Sequence, residues 1–286
     1  MAAAPACAVG TVAVAWLGQA GFLVRTADCT LLIDPYLSDF LARKYRGKEF
    51  AHERLTAAPL DVRDLGRLDV VLCTHRHSDH MDPDTLAAVA AAHPACRFVV
   101  PAADMGHAEG LGLPADRLLP IDAGETRDRG ASLVVTAVAA AHEALERDAA
   151  GRCRFLGYVV RTAGLSLYHS GDTVAYPGLA AEVGRLGVDC GLLPVNGRDA
   201  YRSSRGVPGN MNAAEAIDLC RVAGIPLLVP HHFGMFAFNT ADEADLALLR
   251  GCSGPRTVIP DLEHHLLLAP GVSDFAVRGR RAAPPG

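Results

Sequence analysis

Three histidines and an aspartate stand within six residues in the segment THRHSDH. Alternate side chains of a loop after a strand, His75 and His77, can converge on one point, and Asp79 and His80 can turn toward a neighbouring point. Imidazole and carboxylate groups suit zinc, manganese or iron. A solvated polar loop is the alternative, but three of the chain's twelve histidines stand here. The spacing therefore predicts a metal site.

More residues of the ligand type stand where predicted strands end. His142 closes the apolar run VVTAVAAAH, Asp172 closes LYHSGD, and the pair His231 and His232 closes LLVPHH. Rigid elements hold metal ligands well. A single residue of this kind is more often an ordinary hydrogen-bonding group. The prediction therefore depends on how many such residues accompany the histidine motif.

The chemistry that these ligands predict is hydrolysis. Two divalent ions about 4 Å apart share a water and lower its pKa to about 7, which supplies hydroxide at neutral pH. Hydroxide attacks a carbonyl or a phosphoryl centre. Asp79 and Asp172 are the predicted catalytic carboxylates, because they would hold the metal and the nucleophile in place. No GxSxG motif in the sequence indicates a serine nucleophile.

Polar residues near these strand ends are candidates for binding a substrate. The loop NGRDAYRSSRG contains Asn196, Arg198, Arg202 and Arg205. Guanidinium groups clamp phosphate or carboxylate groups, so the loop predicts an anionic substrate. An ordinary charged surface loop is an equally good interpretation.

Other residues are candidates for orienting the ligands or for covering the site. His169, His231 and Glu143 stand beside predicted ligands, where they either orient them by hydrogen bonds or simply pack. Residues 35–67 are polar, basic and without periodicity, which predicts a long loop or a lid over the site. The cations of residues 43–48 are either solvated or face an anionic substrate.

Strands and helices that would position these residues are distributed over both halves of the chain. Short apolar runs predict strands at 12–18, 21–26, 29–34, 69–75, 97–101, 132–140, 155–162, 165–170, 190–195 and 225–230. Ala163-Gly164 predicts a hairpin turn. Helix starts are predicted at Asp82-Pro83, at Asn212 with Glu215, and at Thr240 with Glu243. The pattern predicts an α/β protein with two sheets.

Composition narrows the class of protein further. The chain has 286 residues, of which 50% are hydrophobic and 21% charged, with a formal net charge of −5. These values exclude a disordered chain and argue against a nucleic-acid binder. The apolar runs are too short for membrane helices, the N-terminus lacks the basic start of a signal peptide, and eight scattered cysteines indicate reduced thiols. We expect a cytoplasmic protein without nucleic-acid or membrane partners.

HRHSDH matches the HxHxDH signature of the metallo-β-lactamase superfamily, and the later histidine, aspartate and final histidine follow in that family's order. The segments WLGQAGFLV, IDPY, THRHSDHMD, LGYVV, LYHSGDT, LLPVNGR and VPHHF resemble the ascorbate-6-phosphate lactonase group. The resemblance covers about Val14 to Pro260. It implies a four-layer αββα sandwich with a two-metal site at one edge, formed by a single domain over 11–270 between loose ends at 1–10 and 271–286.

The resemblance also implies how the ligands are shared between two divalent ions, with zinc expected first and manganese or iron as alternatives. The ligands implied for one ion are His75, His77 and His142, and those implied for the other are Asp79, His80 and His232. Asp172 would bridge the two ions. His232 is preferred as the last ligand because relatives place it two residues after a proline, and His231 is the alternative.

The predicted function is a dinuclear metallohydrolase that opens a small anionic lactone resembling a sugar phosphate. Phosphodiester hydrolysis by the same metal pair is the second interpretation, and a metal-binding scaffold without activity is the third. The partner is a small-molecule substrate, and the resemblance to the lactonase group suggests a homo-oligomer.

Overall fold

Two β sheets face each other in the structure, a computed structural model that describes residues 7–128, 130, 132–270 and 276–279. Strands β1 to β6 are Val12–Gly18, Gly21–Arg25, Thr30–Ile33, Val70–Leu72, Arg97–Pro101 and Leu118–Ile121. Strands β7 to β13 are Thr126–Asp128, Val134–Ala139, Leu156–Thr162, Leu165–His169, Cys190–Pro194, Leu227–His231 and Arg256–Thr257. Strands β14 and β15 are His264–Leu268 and Ala276–Gly279.

Both sheets combine an antiparallel part with a parallel part. The order in the first sheet is β15-β14-β1-β2-β3-β4-β5-β6, and the strands from β3 to β6 are parallel. The order in the second is β13-β12-β11-β10-β9-β8-β7, and the strands from β10 to β13 are parallel. Because ligands in such sheets bind beyond the carboxyl ends of parallel strands, the residues after β4, β10 and β12 are well placed for a site.

The main hydrophobic core lies between the two sheets. Along β1, Val14 and Trp16 belong to this core, whereas Ala15 and Leu17 belong to a second core on the outer face of the first sheet. The alternation follows from the two-residue period of a strand. Each fully buried large apolar side chain contributes about 1.5–3 kcal/mol, so the cores hold the sheet ends firmly.

Helices cover the outer faces of both sheets. Helices α1 to α7 are Phe40–Lys44, Pro83–Ala92, Met105–Gly110, Leu179–Arg185, Ala200–Ser203, Ala213–Ala223 and Glu243–Gly251. Short 3₁₀ turns lie at Val62–Asp64, Ala102–Asp104 and Ala115–Arg117. Helices α2 and α3 pack against the first sheet, and α4, α6 and α7 lie on the side of the second. The four layers confirm the predicted αββα sandwich.

Two of the three predicted helix starts are confirmed. Asp82 caps α2 through its side chain, and Asn212 forms a reciprocal capping box with Glu215 at α6. The predicted cap at Thr240 is wrong. Asp242 caps α7 instead, and the Thr240 hydroxyl accepts a hydrogen bond from the backbone amide of Gly234, earlier in the same loop.

The predicted strands are present, with ends that differ by a few residues. The hairpin turn has positive φ at Ala163 and Gly164, as a tight turn between twisted strands requires. Sequence patterns missed β6, β7, β13, β14 and β15, which contain polar residues or are very short. Of the predicted ends, residues 1–6, 271–275 and 280–286 lie outside the described residues, while 276–279 form β15.

Two further sequence expectations can be compared with the structure. The eight cysteines are all free thiols, and six of them are buried. Within the described ranges, no helix has both the length and the apolar character needed to cross a membrane.

Candidate metal centre

The seven predicted ligands lie together at one end of the sandwich. The histidine motif follows β4, His142 follows β8, Asp172 follows β10, and His232 follows β12. The ligand atoms form three overlapping groups, in each of which all atoms lie within 4.8 Å of one another. These groups are His75, His77 and His142; His75, His80 and Asp172; and Asp79, His80 and His232. We call these seven residues the metal centre.

Asp172 occupies the middle of the metal centre. Its Oδ2 lies 3.3 Å from His80 Nε2, 3.3 Å from His232 Nε2 and 3.6 Å from His142 Nε2. A carboxylate so placed touches both trios of ligands that the resemblance implies. The positions of the atoms thus agree with a bridging role for Asp172.

Several ligand atoms of the metal centre have no partner from the protein. His75 Nε2, His80 Nε2 and Asp172 Oδ1 are buried, and the described part of the chain offers them no hydrogen bond. Buried polar atoms are almost always paired, so such orphans need an explanation. Imidazole nitrogens and carboxylate oxygens gathered in this way fit divalent metal ions.

Two of the histidines are oriented by Asp34, which sequence analysis did not single out beyond the segment IDPY. The Asp34 carboxylate accepts hydrogen bonds from the Thr74 hydroxyl at 2.6 Å and from His80 Nδ1 at 2.7 Å. His75 Nδ1 lies 3.0 Å from the same hydroxyl, to which it donates because the hydroxyl proton is given to Asp34. Both imidazoles therefore direct Nε2 into the centre. Metal-binding histidines are commonly oriented in this way, by a hydrogen bond from the other ring nitrogen.

His142 is oriented from the opposite side. Its Nδ1 lies 3.2 Å from the carbonyl of Gly209, and the Gly209 amide donates to Glu143 at 3.0 Å. Glu143 also accepts a hydrogen bond from Ser203. A Cβ atom at Gly209 would lie 2.4 Å from Arg198 Cβ, so glycine is needed there. Glu143 can therefore position His142 indirectly, because it holds the amide of Gly209, whose carbonyl contacts the His142 ring.

His169 and His231 form a buried pair beneath the metal centre. Their rings stack at 4.7 Å with an angle of 9° between the planes. His169 Nδ1 accepts a hydrogen bond from the amide of Gly171, next to Asp172, so it can position that ligand. The ring nitrogens of His231 have no hydrogen-bond partner among the described residues and lie outside the groups of converging ligand atoms. His232, not His231, reaches the metal centre.

Burial favours the neutral form of three histidines. It lowers the pKa of His75 and that of His142, and it lowers the pKa of His77 to about 4. Burial alone would also lower the pKa of His80, but the carboxylates of Asp172 and its neighbours outweigh it and raise that pKa. Metal ligands must be deprotonated, so metal binding would displace the proton of His80.

Both aspartates of the metal centre are held in the ionised form. Burial alone would raise the pKa of Asp79 and that of Asp172, but the neighbouring imidazoles of His80 and His232 outweigh burial and lower both pKa values. Ionised carboxylates and neutral imidazoles are the forms in which these side chains bind metal ions. At neutral pH the two aspartates and the imidazoles of His75, His77 and His142 are therefore in the form that binds metal, and His80 must first give up its proton.

A cavity of about 630 Å³ opens above the metal centre, a size typical of sites for small molecules. Above the ligands it is lined by two sets of residues, one from the predicted lid, which is Leu41, Lys44, Tyr45, Lys48, Glu49, Phe50 and His52, and the other formed by Arg76 and residues 205–208. We call these residues the cavity wall. Its cations are Lys44, Lys48, Arg76 and Arg205. Among the described residues, only Arg205 of these four forms an ion pair, with Glu49.

Of the four predicted substrate-binding residues, the structure brings only Arg205 to the cavity. Arg198 forms a two-pronged ion pair with Glu215, at 2.7 and 2.8 Å. The other two are engaged with protein groups as well: Asn196 donates to Asn239, and Arg202 bonds Asp199, Asn239 and the carbonyl of Asn196. These three residues brace the loop below the cavity wall.

Comparison with protein families adds an independent observation. Residues 30–233 match a family model described as a beta-lactamase superfamily domain. The chain is 30% identical over 222 residues to a UPF0173 metal-dependent hydrolase from Opitutus terrae, covering 76% of this chain and 83% of that one. It is 27% identical over 238 residues to another from Rubrobacter xylanophilus, covering 80% of this chain and 85% of that one.

Comparison with solved structures agrees on the fold. The structure of an isothiocyanate hydrolase from Delia radicum gut bacteria superposes with a TM-score of 0.70. It covers 90% of this chain and 99% of that chain at 20% sequence identity. At this identity the likeness concerns the fold alone.

Proposed function

Because the chain belongs to the metallo-β-lactamase superfamily and is a metal-dependent hydrolase, we propose that it opens small anionic lactones with two divalent metal ions. The observation that carries the proposal is the position of seven converging ligand residues below a cavity whose wall bears four cations. Zinc is the proposed metal, with manganese or iron as alternatives, since mixed imidazole and carboxylate sites accept all three.

The residues of the metal centre have distinct tasks in this reaction. His75, His77 and His142 would hold one ion, and Asp79, His80 and His232 the other. Asp172 would bridge the ions, which its Oδ2 position between the two trios supports. When both ions are bound, they lower the pKa of a shared water to about 7 and so supply hydroxide at neutral pH. The net reaction adds one water across the ring ester bond and gives a hydroxy acid.

The cavity wall supports an anionic substrate. Lys44, Lys48 and Arg76 are exposed at the cavity, and in the described part of the chain none of them forms a direct ion pair, although the charge of Arg76 also acts on the buried carboxylate of Asp104. A phosphate or carboxylate group on the substrate would neutralise these charges, and the planar guanidinium of Arg76 can donate two hydrogen bonds to it. The residues adjoining Arg76 belong to the histidine motif, so an anion held there would lie close to the metal centre.

Apolar side chains also line the lid side of the wall, beside Glu49 and His52. Leu41, Tyr45 and Phe50 line the cavity there, and the Tyr45 ring stacks on His52 at 4.4 Å. The cavity therefore combines cations that hold one end of a substrate with an apolar surface that displaces water from the other. This combination suits a small molecule with a charged group and a carbon skeleton.

The test combines metal analysis with a panel of substrates. The purified protein would be analysed for metal per chain and assayed with lactones that carry or lack a phosphate or carboxylate group. About two equivalents of metal and a lower KM for the anionic lactones are expected, and His77→Ala should abolish turnover. Absence of turnover after reconstitution with zinc, manganese and iron would overturn the proposal.

Phosphodiester hydrolysis is the second candidate, because the same cations would also bind a phosphodiester. The panel therefore includes a chromogenic phosphodiester. Turnover of the phosphodiester without turnover of any lactone would replace the proposed function by this one.

A further inference from the structure

Gln19 reaches the metal centre, although its residue type is not one that usually binds metal ions. It stands in the turn between β1 and β2, and its side chain is fully buried. Its Nε2 donates a hydrogen bond to Asp79 Oδ2 at 3.0 Å. The same nitrogen lies 3.1 Å from Nε2 and 3.3 Å from Nδ1 of His232. A single amide therefore contacts two of the predicted ligands, Asp79 and His232, which are far apart in the sequence.

The backbone around Gln19 is fixed in an unusual conformation. Its φ is 51°, in the left-handed region, and the φ of His232 is 63°. Such angles are uncommon for residues other than glycine and cost on the order of 1–3 kcal/mol each. They persist only where the surroundings hold them, and they concentrate at functional sites.

Two hydrogen bonds to the Gln19 carbonyl hold this conformation. The carbonyl accepts from the backbone amide of His232 and from Trp16 Nε1, both at 2.9 Å. The Trp16 ring in turn stacks on Phe233 at 4.7 Å. Gln19 and His232 are thus tied through backbone as well as side chain, so the position of one determines that of the other.

The other end of the amide is free. Gln19 Oε1 is buried, and within the described ranges it has no hydrogen-bond partner. A buried amide oxygen left unpaired costs roughly 1–3 kcal/mol, so a ligand or water from outside the protein is the expected partner. The orphaned oxygen is the second observation that connects Gln19 with the metal centre.

We propose that Gln19 is a positioning residue that holds Asp79 and His232 in the geometry needed to bind the second metal ion. The inference rests on the proposed two-metal function. Because Gln19 touches neither His75 nor His77, its effect is confined to the ion assigned to Asp79, His80 and His232. Its free oxygen adds a hydrogen-bond acceptor on that side of the centre.

The experiment compares the wild type with Gln19→Met, which keeps an unbranched side chain of similar length without the amide. Zinc affinities are measured by competition with a chelator, and the metal-free proteins are unfolded in urea. The expected result is a loss of about 10–100-fold in the affinity for the second equivalent, as for other groups that orient ligands, with the first equivalent unchanged. The urea midpoint of the metal-free protein should stay the same, and kcat should fall while KM holds.

A second variant covers failure of the first to fold. Gln19→Asn keeps an amide and tolerates left-handed backbone, but it is one methylene too short to reach Asp79. It should also weaken only the second equivalent.

Each opposite result has its own meaning. Equal affinities for both equivalents in the wild type and the variants would refute the role of Gln19 alone. Loss of both equivalents together with a lower urea midpoint would show a merely structural role and would also refute it. Fewer than two equivalents in the wild type would instead refute the proposed two-metal function.

Discussion

The metal centre and the cavity wall differ in how the chain holds their side chains. In the metal centre, His75 and His80 are completely buried and are oriented through Asp34 and Thr74, which are completely buried as well. On the cavity wall, by contrast, Lys44, Lys48 and Arg76 are exposed and lack an ion-pair partner among the described residues.

This difference separates reactivity from recognition. Side chains fixed by buried hydrogen bonds keep one geometry, which metal ligands require. Exposed cations keep many rotamers and are ordered by the substrate that they bind, at a cost in side-chain entropy. Changes in the metal centre should therefore affect metal content and kcat, and changes in the cavity wall should affect KM.

The largest effect is expected for His142→Ala. Loss of a direct ligand should remove one equivalent of metal. It should also lower kcat/KM by more than roughly 100-fold, the upper end of the effect of losing a group that only orients a ligand. Elemental analysis and steady-state kinetics measure both quantities, and circular dichroism checks that the fold remains. His264→Ala is the control, because His264 is a half-buried histidine that pairs with Asp261 and is not one of the predicted ligands. If the variant kept both equivalents of metal, His142 would not be a metal ligand.

A smaller effect is expected for Asp34→Asn. The carboxylate accepts from the Thr74 amide with Oδ1 and from the Thr74 hydroxyl and His80 with Oδ2, and in asparagine an NH₂ donor replaces one of these oxygens, so the orientation of two ligands is loosened. We expect metal affinity to fall by about 10–100-fold. Asp69→Asn is the control, since Asp69 accepts hydrogen bonds from Thr30 and Arg67 at the opposite end of β4. Equal affinities in both variants would show that the orientation of His75 and His80 does not depend on Asp34.

The cavity wall is tested by comparing Arg76→Gln with Arg198→Gln. Arg76→Gln should raise KM for an anionic lactone by roughly 3- to 10-fold, as expected for loss of an exposed charged contact. Arg198→Gln should leave KM nearly unchanged, because Arg198 is occupied by Glu215. Kinetics with a neutral lactone serve as the control for charge. A larger effect at Arg198 would favour the sequence prediction over the position in the structure.

The smallest effect concerns pH. Burial holds the pKa of His77 at about 4, below the usual value near 6.5. The unfolded chain therefore binds more protons than the folded chain between pH 6.5 and 4, so His77 lowers the stability of the metal-free protein as pH falls through this window. Urea unfolding of the wild type and His77→Asn in chelator should show the wild type losing more stability. Parallel pH profiles would contradict the low pKa of His77.

Sequence patterns predicted an α/β protein with two sheets and ligand-type residues at strand ends because both depend on local signals, whereas the four-layer sandwich and the choice of His232 came from the family resemblance. Apolar runs of strand length and side-chain caps such as that of Asn212 are set by neighbouring residues. The cap at α7 was misplaced because the Thr240 hydroxyl accepts a hydrogen bond from Gly234 in the same loop, which the capping pattern does not record. Sequence analysis did not identify the roles of Gln19 and Asp34, because each contacts residues at least 40 positions away.

The sequence by itself determined the class of protein and the residues able to bind metal, since the spacing of HRHSDH and the strand ends before His142, Asp172 and His232 constrain where these side chains can lie. Only the tertiary structure decided which cations face the cavity. Arg76, Arg198 and Arg205 are chemically alike, but Arg198 is bound to Glu215 and does not line the cavity, whereas Arg76 and Arg205 line it, Arg205 while paired with Glu49. The substrate-binding surface is therefore a property of packing between distant segments, which residue type and spacing do not encode.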